Sequence, residues 1–394
     1  MQAQSSIQRG QSKSGSGHLL GLNGIRALAV IAVVFHHSHG GFDFLPISHN
    51  GFLGVDVFFA LSGFLITTLL IKERETFGTI SLSNFYARRA LRILPLYYAV
   101  LALLAVYFSL SGPGSSQSAA YFKELPYHAL HVSNWAHLQT MMAVTWSLST
   151  EEQFYLVWPP IFALLGMRAL PLLLAFLAFN QAVNFGLADG LLQTWGLARS
   201  EYSILQITFT PIVLGVLLAI AFDHPATRAW LNRMITVPTL AASVVALILI
   251  ANTGGDIQGL PRLLFHVLTT FVLAGIVLRP GCGLTQALEW RPLVYIGKVS
   301  YGIYLLHMLA IHFASRLSVR LGVESQGLVF LLAFALTLAM AALSYHYFES
   351  PLLRLKSRFT DDSNPVGHAL QHVKLYWVRR ADRKTKMPLQ AVKR

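Results

Sequence analysis

The first apolar stretch of the chain, Leu19 to His37, holds two residues that such stretches rarely carry: Arg26 and His37. Eleven residues of helix are about 1100° of rotation, so the two side chains share a face, with roughly 16 Å of rise between them. Ionisable groups inside a membrane are costly and are functional candidates by default. A guanidinium binds phosphate and other anions, and an imidazole titrates near neutrality. The spacing offers an anion anchor at one end of a helix and a proton-transfer group farther in.

Other segments add polar residues at comparable depth. In Gly51-Phe-Leu-Gly-Val-Asp-Val-Phe-Phe, Asp56 falls level with His37 if the first two segments are antiparallel neighbours. A carboxylate on an imidazole fixes its tautomer and stabilises the imidazolium, which builds a general base. The competing reading makes His37 a cap on a buried polar contact. Arg88, Arg89 and Arg92 lie just before the third segment. Arg88 and Arg92 share a face at i, i+4, and the group suits either phosphate binding or anchoring at a membrane surface.

Glu151 and Glu152 open the fourth segment among aromatic residues. Inside a membrane they need hydrogen bonds or a wet cavity, although Ser149 and Glu152 also match a capping box. Ser300, Tyr304 and His307 recur at i, i+4, i+7, with an interfacial role open for Tyr304. Glu349 sits at the end of the last segment, where a cap or ion pair suits it. No metal-ligand spacing is present, and the single cysteine, Cys282, has no partner that would make it a nucleophile.

The elements that carry these residues follow from composition. The chain has 394 residues, 54% apolar and 12% charged, about half the charge of a soluble domain. It reads as an all-α, polytopic integral membrane protein. Apolar segments of spanning length fall near 20–38, 52–71, 93–110, 144–165, 169–187, 204–222, 235–251, 263–279, 296–314 and 327–347. That gives about ten transmembrane helices. With both termini cytoplasmic, only Lys123, Arg199, Arg262, Arg316 and Arg320 of the 30 basic residues fall outside, as the positive-inside rule asks.

The expected organisation is a polar tail over 1–18 with no cleavable leader, a membrane domain over 19–350, and a basic cytoplasmic tail over 351–394. The net charge of +13 is concentrated in that last tail. It suits anionic lipid more than nucleic acid, with a plain solvated tail as the competing reading.

At these residues the chain resembles the acyltransferase-3 family of membrane acyl-CoA-dependent O-acyltransferases. The matching pieces are Leu22-Asn-Gly-Ile-Arg-Ala-Leu-Ala with Arg26 and His37, and Gly51-Phe-Leu-Gly-Val-Asp-Val-Phe-Phe. Phe85-Tyr-Ala-Arg-Arg-Ala-Leu-Arg-Ile-Leu-Pro, Trp146-Ser-Leu-Ser-Thr-Glu-Glu-Gln-Phe-Tyr-Leu, Ser300-Tyr-Gly-Ile-Tyr-Leu-Leu-His and Phe348-Glu-Ser-Pro follow in the family's order. Asn23 replaces the family's usual acidic residue. The resemblance implies a bacterial inner-membrane enzyme. It would move an acyl group, commonly acetyl, from cytoplasmic acyl-CoA to a hydroxyl of a glycan or glycosylated small molecule.

Under that implication Arg26, Arg88, Arg89 and Arg92 hold acyl-CoA. His37, Asp56, Glu151, Glu152, Tyr304 and His307 form the catalytic set, with His37 as base, Asp56 orienting it and Tyr304 a candidate oxyanion donor. No metal or permanently bound cofactor is expected. The alternative is a proton-coupled secondary transporter that uses His37, Asp56, Glu151 and Glu152 as a relay.

Overall fold

The computed structural model describes residues 20–38, 50–111, 114–196, 209–254, 257–322 and 325–359. Every regular element among them is helical. In chain order these are α1 (Leu22–His37), α2 (Leu53–Phe77), α3 (Leu82–Ser111), α4 (Ser116–Ala129) and α5 (Trp146–Leu165). Then come α6 (Leu170–Asn184), α7 (Asp189–Thr194), α8 (Thr210–Asp223), α9 (Pro225–Met234) and α10 (Val237–Ala251). The last are α11 (Gly259–Leu278), α12 (Gly283–Leu288), α13 (Arg291–Lys298), α14 (Ser300–Arg320), α15 (Gln326–Ser344) and α16 (Ser350–Arg354).

Six stretches are long and apolar enough to cross a membrane: Leu53–Phe77, Leu82–Leu110, Ala143–Asn184, Gly259–Leu278, Ser300–Arg320 and Gln326–Arg354. Each of the ten expected segments contains a helix, but the count of ten is not established. Helices α1 and α10, of 16 and 15 residues, are about 24 and 22 Å long, short of a 30 Å hydrocarbon core. The α5 and α6 segments run together as one 42-residue stretch. At the junction of α8 and α9 the chain turns through 108°, where Pro225 opens the new helix and cannot continue the old ladder.

Helix α2 is the centre of the bundle, with 72% of its apolar window buried, whereas α15 buries 17% of its own. Leu331, Leu336 and Leu343 on α15 and Leu103, Val106 and Leu110 on α3 are exposed. In a membrane that surface faces lipid. Close approach around α2 depends on glycine. A Cβ on Gly63 would strike the Ile212 carbonyl of α8, and one on Gly215 of α8 would strike the Ala60 carbonyl of α2. Membrane helices lack a hydrophobic drive to associate, so such small-residue contacts carry their packing.

The same device fixes α1. Gly54 of α2 meets the Ala29 carbonyl, and Gly297 of α13 meets the Asn23 carbonyl. The Gly21 amide donates to Glu289 Oε1 at 2.5 Å. Gly51, just before α2, meets the Ala32 carbonyl and His36, so both ends of α1 are held, and with them Arg26 and His37.

Residues 350–359 continue as α16 and a 3₁₀ turn that returns to α3, where the Phe359 carbonyl accepts from Arg88 at 3.0 Å. The polar tail over 1–18 and the basic cluster from Arg379 onward lie outside the described residues.

Candidate active site

Two cavities open at opposite ends of α1. The first, of about 150 Å³, lies among α1, α2, α3, α5 and α14. Arg26, Arg89 and Arg92 all line it, with Ser62, Glu151, Tyr155, Ser300 and Tyr304. Arg89 is the neutralised member. It lies 3.7 Å from Glu151 Oε2 and 3.5 Å from Glu152 Oε1, with its guanidinium 3.2 Å above the Tyr155 ring. The Ser62 hydroxyl donates to Glu151 Oε1 at 2.6 Å.

Arg26 and Arg92 have no carboxylate within ion-pair distance among the described residues, and both face the cavity. Two unpaired guanidiniums around one apolar-walled opening attract an anion. Phosphate oxygens would accept their hydrogen bonds bidentately.

Arg88 does not join them. Its Nη2 lies 3.4 Å from Glu73 Oε2, and its Nη1 donates to the Phe359 carbonyl. The expected shared face of Arg88 and Arg92 therefore gives way to Arg89 with Arg92. One residue of helix, about 100° of rotation, separates Arg88 from Arg89 and turns Arg88 to the side where Glu73 of α2 needs a counter-charge.

The second cavity, of about 330 Å³, is lined by His37, Ser133, His137, Gln139, Thr140, Val144, Trp146 and Met308. His37 Nδ1 donates to the Val33 carbonyl at 2.9 Å. That bond fixes the tautomer and leaves Nε2 as the basic nitrogen of the neutral ring. The His307 ring centroid is 5.0 Å from that of His37. His307 is fully buried and donates from Nδ1 to the Tyr304 carbonyl at 2.5 Å, and its Nε2 has no partner.

Asp56 does not orient His37. It accepts from His266 Nε2 at 2.9 Å and lies 3.5 Å from Arg262 Nη2, both on α11. Asp56 points from α2 towards α11, and a backbone carbonyl does for His37 what the carboxylate was expected to do. Arg262 and His266 form the partnership missed in the sequence. Their i, i+4 spacing at the start of an apolar segment was the available signal.

Glu151 forms part of the wall of the first cavity, and Glu152 sits behind it on Arg89. The capping-box alternative fails, because α5 begins at Trp146 and the Ser149 hydroxyl pairs with Ser133 at 2.8 Å. Tyr304 is buried rather than interfacial. Its hydroxyl lies 2.6 Å from both the Val144 carbonyl and Ser147 Oγ. Tyr304 and Ser147 line the first cavity and Val144 lines the second, so these bonds sit in the wall between them. Glu349 accepts from Ser344 at 3.1 Å within a π-helical turn, Tyr345–Glu349. Among the described residues no cluster of His, Cys, Asp and Glu could hold a metal ion.

Between α4 and α5 the chain crosses the mouth of the second cavity on a polar scaffold. Glu124 accepts from the Gln139 amide at 2.8 Å and from the Thr140 hydroxyl at 2.6 Å. His128 Nε2 lies 3.7 Å from the same carboxylate, and burial pushes its pKa below the ordinary imidazole value. His128 Nδ1 and Thr145 Oγ1 share a hydrogen bond of 3.0 Å, which joins the scaffold to the start of α5.

Comparison with known proteins places this arrangement in a family. The chain is 29% identical over 355 residues to O-acetyltransferase OatA of Staphylococcus aureus, in strains NCTC 8325 / PS 47, COL and MRSA252 alike. The match covers 85% of this chain and 57% of OatA, so the chain spans just over half the length of these curated relatives. No solved structure matches it. The profile of the acyltransferase-3 family, described as an acyltransferase domain, matches residues 19–346. The protein, with its several apolar helices of spanning length, belongs to the acyltransferase-3 family.

Proposed function

We propose that this protein is an O-acyltransferase of the bacterial inner membrane that transfers an acyl group, acetyl in the first instance, from acyl-CoA to a hydroxyl of a sugar or glycan. One observation carries the reading. Arg26 and Arg92, from two different helices, face one cavity with no carboxylate at ion-pair distance among the described residues, and α1 leads from there to the His37–His307 pair. Anion binding and acid–base chemistry are thus set apart along one helix, as a long donor with a phosphate end and a thioester end requires. The name of the O-acetyltransferase relative supports the same reaction class. The distribution of basic residues supports a cytoplasmic Arg26 end, where acyl-CoA is made.

In this reading His37 Nε2 removes the acceptor's hydroxyl proton as the oxygen attacks the thioester carbonyl. The C–S bond breaks, and the imidazolium returns its proton to the departing CoA thiolate. The Val33 carbonyl holds the tautomer throughout. Between the cavities, the Tyr304 hydroxyl must release Val144 for the pantetheine arm to advance, after which that hydroxyl is available to the developing oxyanion.

The separation of the ionisable groups favours the transferase over the transporter alternative. His37, the Asp56 group and the Arg89–Glu151–Glu152 group form three separate clusters. Incubating the purified protein with radiolabelled acetyl-CoA and a panel of glycans tests the proposal. Label should move to a glycan with wild type and not with His37→Ala; equal transfer by both would refute the assigned base.

A further inference from the structure

The His37 cavity has a chemistry of its own. Among the described residues no Lys, Arg, Asp or Glu lines it. Its polar atoms come from Ser133, Gln139, Thr140 and the two imidazoles of His37 and His137, and Trp146 adds a flat indole face. Neutral hydrogen-bonding groups beside an aromatic plane suit a ring that carries hydroxyls on its edge and C–H bonds on its faces. A charged ligand would find no counter-ion among the described lining residues and would give up hydration to enter.

The mouth of this cavity is not self-supporting. Residues 136–140 lack helical or strand hydrogen bonds, and the loop is pinned from behind by one carboxylate. Glu124, only 8% exposed, takes the Gln139 amide, the Thr140 amide at 3.2 Å and the Thr140 hydroxyl. Three donors converging on one carboxyl group set the position of both residues.

We infer that the His37 cavity is the acceptor site, that it selects an uncharged, hydroxylated sugar ring over an anionic one, and that Glu124 is the positioning residue that holds its lining loop. This rests on the transferase reading and adds the ligand's charge class and the residue that shapes its site.

Two measurements test it. The first uses p-nitrophenyl β-D-glucoside and the corresponding glucuronide as acceptors for acetyl-CoA. Wild type should favour the glucoside at least about tenfold in kcat/KM. Glu124→Gln, which exchanges one acceptor oxygen for an amide NH₂, should raise the KM for glucoside about tenfold or more. The KM for acetyl-CoA should stay unchanged, and general destabilisation would not produce that split. Equal use of the two glycosides, or a Glu124→Gln effect on acetyl-CoA alone, would overturn the assignment.

The second measurement does not need turnover. Gln139→Cys, in a Cys282→Ser background, is labelled by a membrane-impermeant maleimide. The glucoside should slow labelling severalfold, and the glucuronide and acetyl-CoA should not. Protection by acetyl-CoA instead, or none by a glucoside that wild type acylates, places the acceptor elsewhere. Absence of transfer to any acceptor would fail the transferase reading alone, since sugar protection of the Gln139→Cys protein still decides what the cavity binds.

Discussion

The Arg26 cavity and the His37 cavity share α1, α5 and α14, yet they differ in every property that selects a ligand. The first is cationic, with three guanidiniums and one carboxylate on its wall, and is closed in by four helices besides α1. The second has no fixed charge among its described lining residues and is bounded on one side by a loop rather than a helix. Rigid helices suit a site that must hold desolvated charges in place, because a misplaced guanidinium in apolar surroundings costs several kcal/mol. A pinned loop suits a site whose ligand varies in shape. On the proposed function, one helix connects a site for a constant donor to a site for a variable acceptor.

The sharpest way to break this comparison is His37→Ala. Loss of a general base should lower kcat about 10²- to 10⁴-fold and leave the KM for acetyl-CoA unchanged, as read in steady-state assays of transfer. Arg92→Ala should do the reverse. Losing one charge-assisted contact raises the KM for acetyl-CoA about 10- to 100-fold, with little effect on acceptor KM. Arg88→Ala is its control: it removes the partner of buried Glu73 and should lower thermal stability while the KM for acetyl-CoA stays put.

Asp56→Ala separates scaffold from chemistry. It leaves the Arg262 charge buried and unpaired, so it should cost about 3–5 kcal/mol of stability, seen as a lower melting temperature in detergent. The KM values of the surviving fraction should match wild type. A specific loss of kcat at unchanged stability would return Asp56 to the catalytic set.

The smallest effect concerns pH. Lys356, on the turn after α16, has its pKa lowered to about 7 by burial and by Arg92, Arg89 and Arg88. The unfolded chain holds that proton up to about 10.5 and so binds more protons than the folded one in the interval. Stability should therefore rise with pH between about 7 and 10.5. Lys356→Met should flatten the rise in a melting series. An anion bound among the same arginines should draw a proton onto Lys356, measurable as buffer-dependent heat in calorimetry.

Much of this was legible in the residues. Helical spacing put Arg26 and His37 on one line, and the structure gives each a cavity at its own end of α1. The i, i+4, i+7 set of Ser300, Tyr304 and His307 likewise runs from the first cavity to His37. Pairings between helices were not legible, because depth alone does not say which neighbour a side chain faces. Asp56 was expected level with His37, but Gly51 meets Ala32 and His36 and Gly54 meets Ala29, so Asp56 falls nearer Ala27 and turns towards Arg262 and His266; Arg88 is one residue and about 100° away from Arg89. The clamp of Glu124 on residues 139 and 140 left no trace in periodicity, since it joins a helix to an irregular loop.

Equilibrium binding of acetyl-CoA to purified wild type, His37→Ala and Arg92→Ala tests the division between the two cavities most directly. The account predicts that His37→Ala binds as wild type does and that Arg92→Ala binds at least about tenfold more weakly. Undiminished binding by Arg92→Ala, or loss of binding in His37→Ala, would contradict it.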